Sequence, residues 1–164
     1  MLNKIINSLE NIIPVEETQA HCDIPCKIYD PAPAQLATLS LIRMVDLIEE
    51  FQDKEKTIGW HNKMNRFISE KERQGFIVKE EIRIIWGDFF KAPQFEKYPE
   101  LHELSHSIMM LASKSKQEVD KQASLDLLAK VNRFAEIFWD LKGIKTKKAV
   151  CPYPPAQEVV YPVL

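Results

Sequence analysis

The chain has 164 residues, a length that suggests one domain. Hydrophobic residues make up 45% and charged residues 28%, and the formal net charge is −2, so no global charge draws the chain to nucleic acid or to an acidic membrane. No apolar run approaches the roughly 20 residues of a membrane helix, and a total of only four glycines, with few alternating segments, favours helices over strands.

Residues 1–17, MLNKIINSLENIIPVEE, place Ile5, Ile6, Leu9, Ile12 and Ile13 at helical spacing, and Pro14 stops the pattern. Asn3, Asn7, Glu10 and Asn11 interrupt the apolar positions, which makes a poor secretory h-region and a better short amphipathic helix. Without a secretion signal the expected compartment is the reducing cytoplasm, where Cys22 and Cys26 stay thiols.

After the loop Asp30-Pro31-Ala32-Pro33, Leu41, Met44, Val45, Ile48 and Phe51 form one apolar stripe, and charged residues 53–56 end that helix. A second helix starts near Trp60, carries Met64, Phe67 and Ile68, and continues to Ile82, Ile85 and Trp86, with Gly75 a local weakness. The stretch from Trp86 to Glu100 is expected to be a loop whose Pro99 suits the first turn of a third helix. That helix carries Leu101, Leu104, Ile108 and Leu111; a fourth carries Leu125, Leu128, Val131, Ala135 and Phe138 and ends at Gly143. The expected fold is all-α, an antiparallel four-helix bundle with an N-terminal metal-binding hook. The segment 144–164, with Cys151-Pro-Tyr-Pro-Pro, is expected to be an extended proline-rich tail in which Cys151 is a free thiol.

Two constellations can carry metal chemistry. His102-Glu103-Leu104-Ser105-His106 fits H-E-x-x-H, in which two histidines one turn apart hold zinc and the glutamate activates water. The pattern is short and has no third ligand at a fixed downstream spacing, so solvated positions flanking Leu104 are the favoured reading and a zinc hydrolase the weaker one. His61 stands alone near a helix start, and Lys114, Lys116, Lys121, Lys145, Lys147 and Lys148 look like solvated helix and tail positions.

The second constellation is His21-Cys22-Asp23-Ile24-Pro25-Cys26. On spacing alone C-x-x-x-C is weak, and a redox pair or a partial zinc site stays open. A cut between Ala20 and His21 changes the chemistry, because His21 then offers a free α-amine. That amine and the Cys22 amide nitrogen close one five-membered chelate ring, and the Cys22 thiolate closes a second. Cys26 returns through the turn at Pro25 as a fourth in-plane donor, leaving the His21 imidazole as an axial fifth. Two nitrogens and two thiolates in a plane suit nickel(II). Such strong donors make a higher oxidation state accessible, which one-electron chemistry needs. Residues 1–20 then read as a pro-segment, residues 21–143 as hook and bundle, and residues 144–164 as the tail.

These residues resemble the nickel-dependent superoxide dismutases. HCDIPCKIYDP, residues 21–31, is similar to the family's mature N-terminus H-C-D-x-P-C-G-x-Y-D-P; WGDFFKAPQFEKYPELHEL, Trp86 to Leu104, is similar to W-x-D-Y-F-K-P-x-x-F-E-K-Y-P-E-L-H-x-L; and IFWDLK at 137–142 lies near the family's C-terminal end. The resemblance implies a homo-oligomer, usually a hexamer, a peptidase that removes the leader, and a nickel ion cycling between +2 and +3 as superoxide becomes oxygen and hydrogen peroxide. It implies His21, Cys22 and Cys26 as ligands, Asp23 and Tyr29 as residues that order the hook and gate access, and a turn at Pro25. Lys91 and Lys97 are expected to steer the anion, and ordered water near Tyr29 to bring protons. This chain departs from the family at Lys27 for glycine, Phe89 for tyrosine, and Ala37 where some members place a glutamate supporting the axial histidine. Lys27 is therefore expected to sit at positive φ and to put a charge beside the hook. A nickel or copper storage protein without turnover is the alternative from a different class.

Overall fold

The computed structural model describes residues 27–164, so the leader and the residues 21–26 lie outside it. Four long helices form the framework: α1 (Ala32–Phe51), α2 (Ile58–Ile84), α4 (Leu101–Gln117) and α5 (Lys121–Leu141). A π-helical turn (Ile85–Phe89) and a short helix α3 (Ala92–Lys97) join α2 to α4, and a two-stranded antiparallel hairpin, β1 (Thr146–Val150) with β2 (Glu158–Pro162), closes the chain. Each long helix packs on the next, and α1 also packs on α5, which closes a square bundle.

The helices begin where local chemistry satisfies their first amides. The Asp30 carboxylate accepts the Ala32 N–H at 2.7 Å, ahead of α1. Thr57 Oγ1 accepts the Trp60 N–H at 3.1 Å, and Asp120 Oδ1 accepts the Ala123 N–H at 2.9 Å. Trp60 also turns its indole N–H to the Phe51 carbonyl at 3.0 Å and stacks on the Phe51 ring, so one side chain ends α1 and starts α2. Pro99 lies in a turn closed by the Leu101 N–H on the Tyr98 carbonyl at 3.0 Å, before the first turn of α4 rather than within it.

Contacts along the helices fix their directions. Lys79 of α2 donates to Ser113 of α4 at 2.6 Å, and Trp86 meets His102, so these helices run antiparallel. Arg133 with Glu100, and Lys114 with Asp120, set α5 antiparallel to α4. Gln35 with Asn132, and Lys121 with Asp46, do the same for α1 and α5. The core between them holds Leu41, Val45, Val78, Ile82, Leu101, Ile108, Val131, Phe134 and Phe138, all fully or almost fully buried.

Sequence expectations shift at Gly75, at Lys116 and in the C-terminal segment. Gly75 is buried inside an unbroken α2, and a methyl group there would sit 2.3 Å from the Lys116 side chain of α4. It serves close approach rather than a break, and the Lys116 stem packs against α2 instead of standing in solvent. Lys71 is buried at 2% exposure, and its ammonium donates to the carbonyls of Ser115, Lys116 and Glu118, the orphan acceptors at the end of α4. The segment expected as an extended tail is the hairpin. Cys151 and Val159 are buried with Leu39, Ile42 and Leu128, and the adjacent Val160 is buried too, so the hairpin lies against the bundle instead of extending from it.

The free side of β2 is not left open. Asn132 Oδ1 accepts the Val160 N–H at 3.2 Å, Gln35 Nε2 donates to the Val160 carbonyl at 2.9 Å, and Asn132 Nδ2 donates to the Glu158 carbonyl at 2.9 Å. Gln35 and Asn132 also bond each other at 3.0 Å, so two buried amides satisfy the strand edge and each other.

Candidate metal centre and its support

The helix directions bring the start of α1, the end of α2, the start of α4 and the end of α5 to one end of the bundle, and the chain arrives there from the hook. His21, Cys22, Asp23 and Cys26 lie outside the described residues; Lys27 and Tyr29 lie within them. Lys27 has φ of 59°, the left-handed region expected for the position where the family has glycine. The backbone therefore turns sharply one residue after Cys26. Ile28 is 83% exposed, and Tyr29 turns inward onto the core.

Tyr29 lands on an aromatic surface built by the π-helical turn. The Phe90 N–H bonds the Ile85 carbonyl five residues back at 3.2 Å, and the backbone becomes extended at Phe90. The extra residue lets two consecutive rings face inward. Phe90 packs on Phe134, while Phe89 lies 4.9 Å from Phe138 and 5.6 Å from Tyr29, centroid to centroid. Phe89 thus fills the position of the family's tyrosine with a ring and no hydroxyl. Ala37 is buried at 3% exposure in the main core and brings no polar atom toward the hook.

The charges at this end sort into free and neutralised. Lys97 Nζ lies 2.6 Å from Asp140, whose carboxylate also accepts the Tyr98 hydroxyl at 2.6 Å. The hydrogen bonds from Lys97 and Tyr98 hold the Asp140 carboxyl below its usual range, and the bond to Asp140 raises Lys97. Lys97 is therefore a poor candidate for steering, since its charge is matched. Lys91 is exposed and donates to the Gly87 carbonyl at 3.3 Å. The cation missed from the sequence is Lys142. Its ammonium stands 4.8 Å from the Phe89 centroid and 5.7 Å from that of Phe138, with no carboxylate partner among the described residues. The signal was present, because Lys142 follows Phe138 by four residues and a lysine one turn on lies over the ring.

The H-E-x-x-H residues do not assemble a site. His102 stacks on Phe95 at 4.0 Å and accepts the Trp86 indole N–H on Nδ1 at 3.2 Å. Its α4 neighbours Glu103 and His106 are exposed, and among the described residues no three His, Cys, Asp or Glu side chains are placed to share an ion. Cys151, the free cysteine among the described residues, is buried and donates to the Tyr153 carbonyl at 3.2 Å.

Residues 16–142 match the family model of nickel-containing superoxide dismutase. The chain is 33% identical over 132 residues to the nickel superoxide dismutase of Streptomyces coelicolor, covering 79% of this chain and 93% of that one, and the enzyme of Streptomyces seoulensis gives the same values. The native structure of a nickel superoxide dismutase superposes with a TM-score of 0.66 at 30% identity, covering 75% of this chain and 99% of that one. An apo structure of such an enzyme gives a TM-score of 0.63 at 28% identity, covering 71% and 98%. The hairpin lies beyond the matched residues.

Proposed function

The chain belongs to the nickel-containing superoxide dismutases, and from that premise we propose how its own residues divide the work. It is an oxidoreductase that uses nickel to convert superoxide to oxygen and hydrogen peroxide. In the net reaction one superoxide gives up an electron and leaves as oxygen, while another gains that electron and two protons. Nickel, held by the hook residues, would supply the one-electron redox chemistry between its +2 and +3 states that this exchange needs.

His21, Cys22 and Cys26 are the proposed ligands, formed once a peptidase cuts between Ala20 and His21. The donor set supports this reading: an amine, an amide nitrogen and two thiolates match nickel(II) in type and number. The reducing cytoplasm is the compartment that keeps both cysteines as thiols. Lys27 supports the fit, since its left-handed backbone supplies the turn that the family's glycine supplies. The His21 imidazole would have no carboxylate at residue 37 to orient it as a ligand, so that support would fall to other groups.

Lys142 and Lys27 offer exposed positive charge to an anionic substrate. Phe89 and Phe138 form a water-excluding floor, and Tyr29, packed on that floor, is the proposed gate and hydrogen-bonding residue, with Asp23 ordering the hook. A homo-oligomer, a hexamer by family likeness, is supported by Phe76 and Met110, large apolar side chains that are 56% and 58% exposed.

The match spanning the whole hook and bundle carries this reading. Its test is the protein made with its maturation machinery. N-terminal sequencing is expected to start at His21, metal analysis to give about one nickel per chain, and Cys22→Ser to lose both nickel and dismutation. Nickel-loaded active protein that retains residues 1–20 would overturn the proposed cut. Nickel retention without superoxide turnover would favour storage.

A further inference from the structure

The hairpin and the bundle enclose an apolar groove of about 310 Å³ that no part of the proposed reaction uses. Leu39, Val159 and Val160 form its buried floor, and Trp139 and Tyr161 line it half-buried. Its rim leaves Leu36 51% exposed and Tyr153 42% exposed. Asp30 and Ala32 line one end, so the groove opens where the chain arrives from the hook.

Ile5, Ile6, Leu9, Ile12 and Ile13 recur at helical spacing, with Asn3, Lys4, Asn7, Glu10 and Asn11 elsewhere. A helix of about 13 residues is marginal in water by itself, so such a stripe calls for a surface to cover it. We infer that the groove between α1, Trp139 and the C-terminal hairpin docks the apolar face of residues 1–13 of the same chain.

Tethering decides between this occupant and a second copy. Only residues 14–29 separate the stripe from the groove's edge at Asp30, and a tether of that length gives an effective concentration in the millimolar range. A second copy at micromolar concentration presents the same stripe far more dilutely. The hairpin then acts as a cradle for the leader, holding the chain across the Ala20–His21 bond beside the bundle. Release on cleavage follows from loss of the tether. That last step alone rests on the proposed cut.

Hydrogen exchange on the full-length chain tests the docking. In the parent chain the amides of residues 32–39 and 158–162 are expected to be protected. The double variant Ile6→Asp/Ile12→Asp is expected to raise their exchange at least ~10-fold while Ile108 and Phe134 stay unchanged. Leu36→Glu, on the exposed rim, should reproduce the same pattern. Equal exchange in parent and leader variant overturns the inference. Protection that fades on dilution of the parent also overturns it, because it assigns the groove to a second copy. N-terminal sequencing scores the cut separately, so correct cleavage with unchanged exchange defeats the docking and leaves maturation standing.

Discussion

At Lys27 a charged side chain occupies a backbone conformation that costs a non-glycine residue about 1–2 kcal/mol. Two effects sit in this residue and two substitutions separate them. Lys27→Gly relieves the strain but adds unfolded-state entropy, so urea unfolding is expected to show a gain below about 1 kcal/mol. It also removes a positive charge, and kcat/KM at low ionic strength should fall by less than ~10-fold. Lys27→Glu should lower kcat/KM further and weaken its fall with added salt; an unchanged salt dependence would sink the steering role. Tyr29→Phe keeps the ring on Phe89, so stability is expected within about 0.5 kcal/mol of the parent while kcat drops. Lys27 was legible in the sequence because a glycine in the family marks left-handed backbone. The Tyr29–Phe89 contact was not, because the five-residue hydrogen bond at Phe90 breaks the 3.6-residue period by which facing positions are read.

The end of α5 shows an element written plainly in the chain. The Gly143 N–H bonds the Asp140 carbonyl and the Ile144 N–H bonds the Trp139 carbonyl, both at 2.9 Å, with Gly143 at φ of 72°. Gly143→Ala is expected to destabilise by about 1–2 kcal/mol and lower Tm, since a side chain there is strained although no atom stands in its way. The end of α4 was illegible, because its acceptors are met by Lys71 from another helix, 44 residues or more away in sequence. Lys71→Met should cost at least about 2 kcal/mol by leaving buried carbonyls unmet. Burial lowers the Lys71 pKa below 10.5, so the unfolded chain binds that proton more tightly. This group's contribution therefore rises with pH between its folded value and 10.5. Glu70 has the same sign in an acidic window. Hydrogen bonds from Arg73 and Gln74 take it from 4.5 to about 2, so its stabilisation is present above 4.5 and lost as pH falls through that window. Glu70→Gln should remove this part of the acid dependence in a pH series of denaturation curves.

For the whole molecule, the amphipathic stripes were enough to give four helices and their neighbours, since each stripe had one burying solution in a bundle with short connections. They were silent on the hairpin, whose strands are short and whose prolines obscure any alternation. The core among the described residues is built mainly from the four long helices, so chelation of nickel is expected to abolish dismutation while far-ultraviolet circular dichroism changes little. Loss of helicity on chelation would contradict that separation.

The pairing of Gln35 with the Val160 carbonyl spans 125 residues. At roughly 5–20 residues per second of synthesis, the strand that completes the support of α1 follows Gln35 by about 6–25 seconds. Throughout that interval the helix that roots the hook lacks its last clamp. The proposed leader cut and metal insertion therefore meet a finished support only after β2 has been translated, which ties maturation of the hook to the folding of the hairpin.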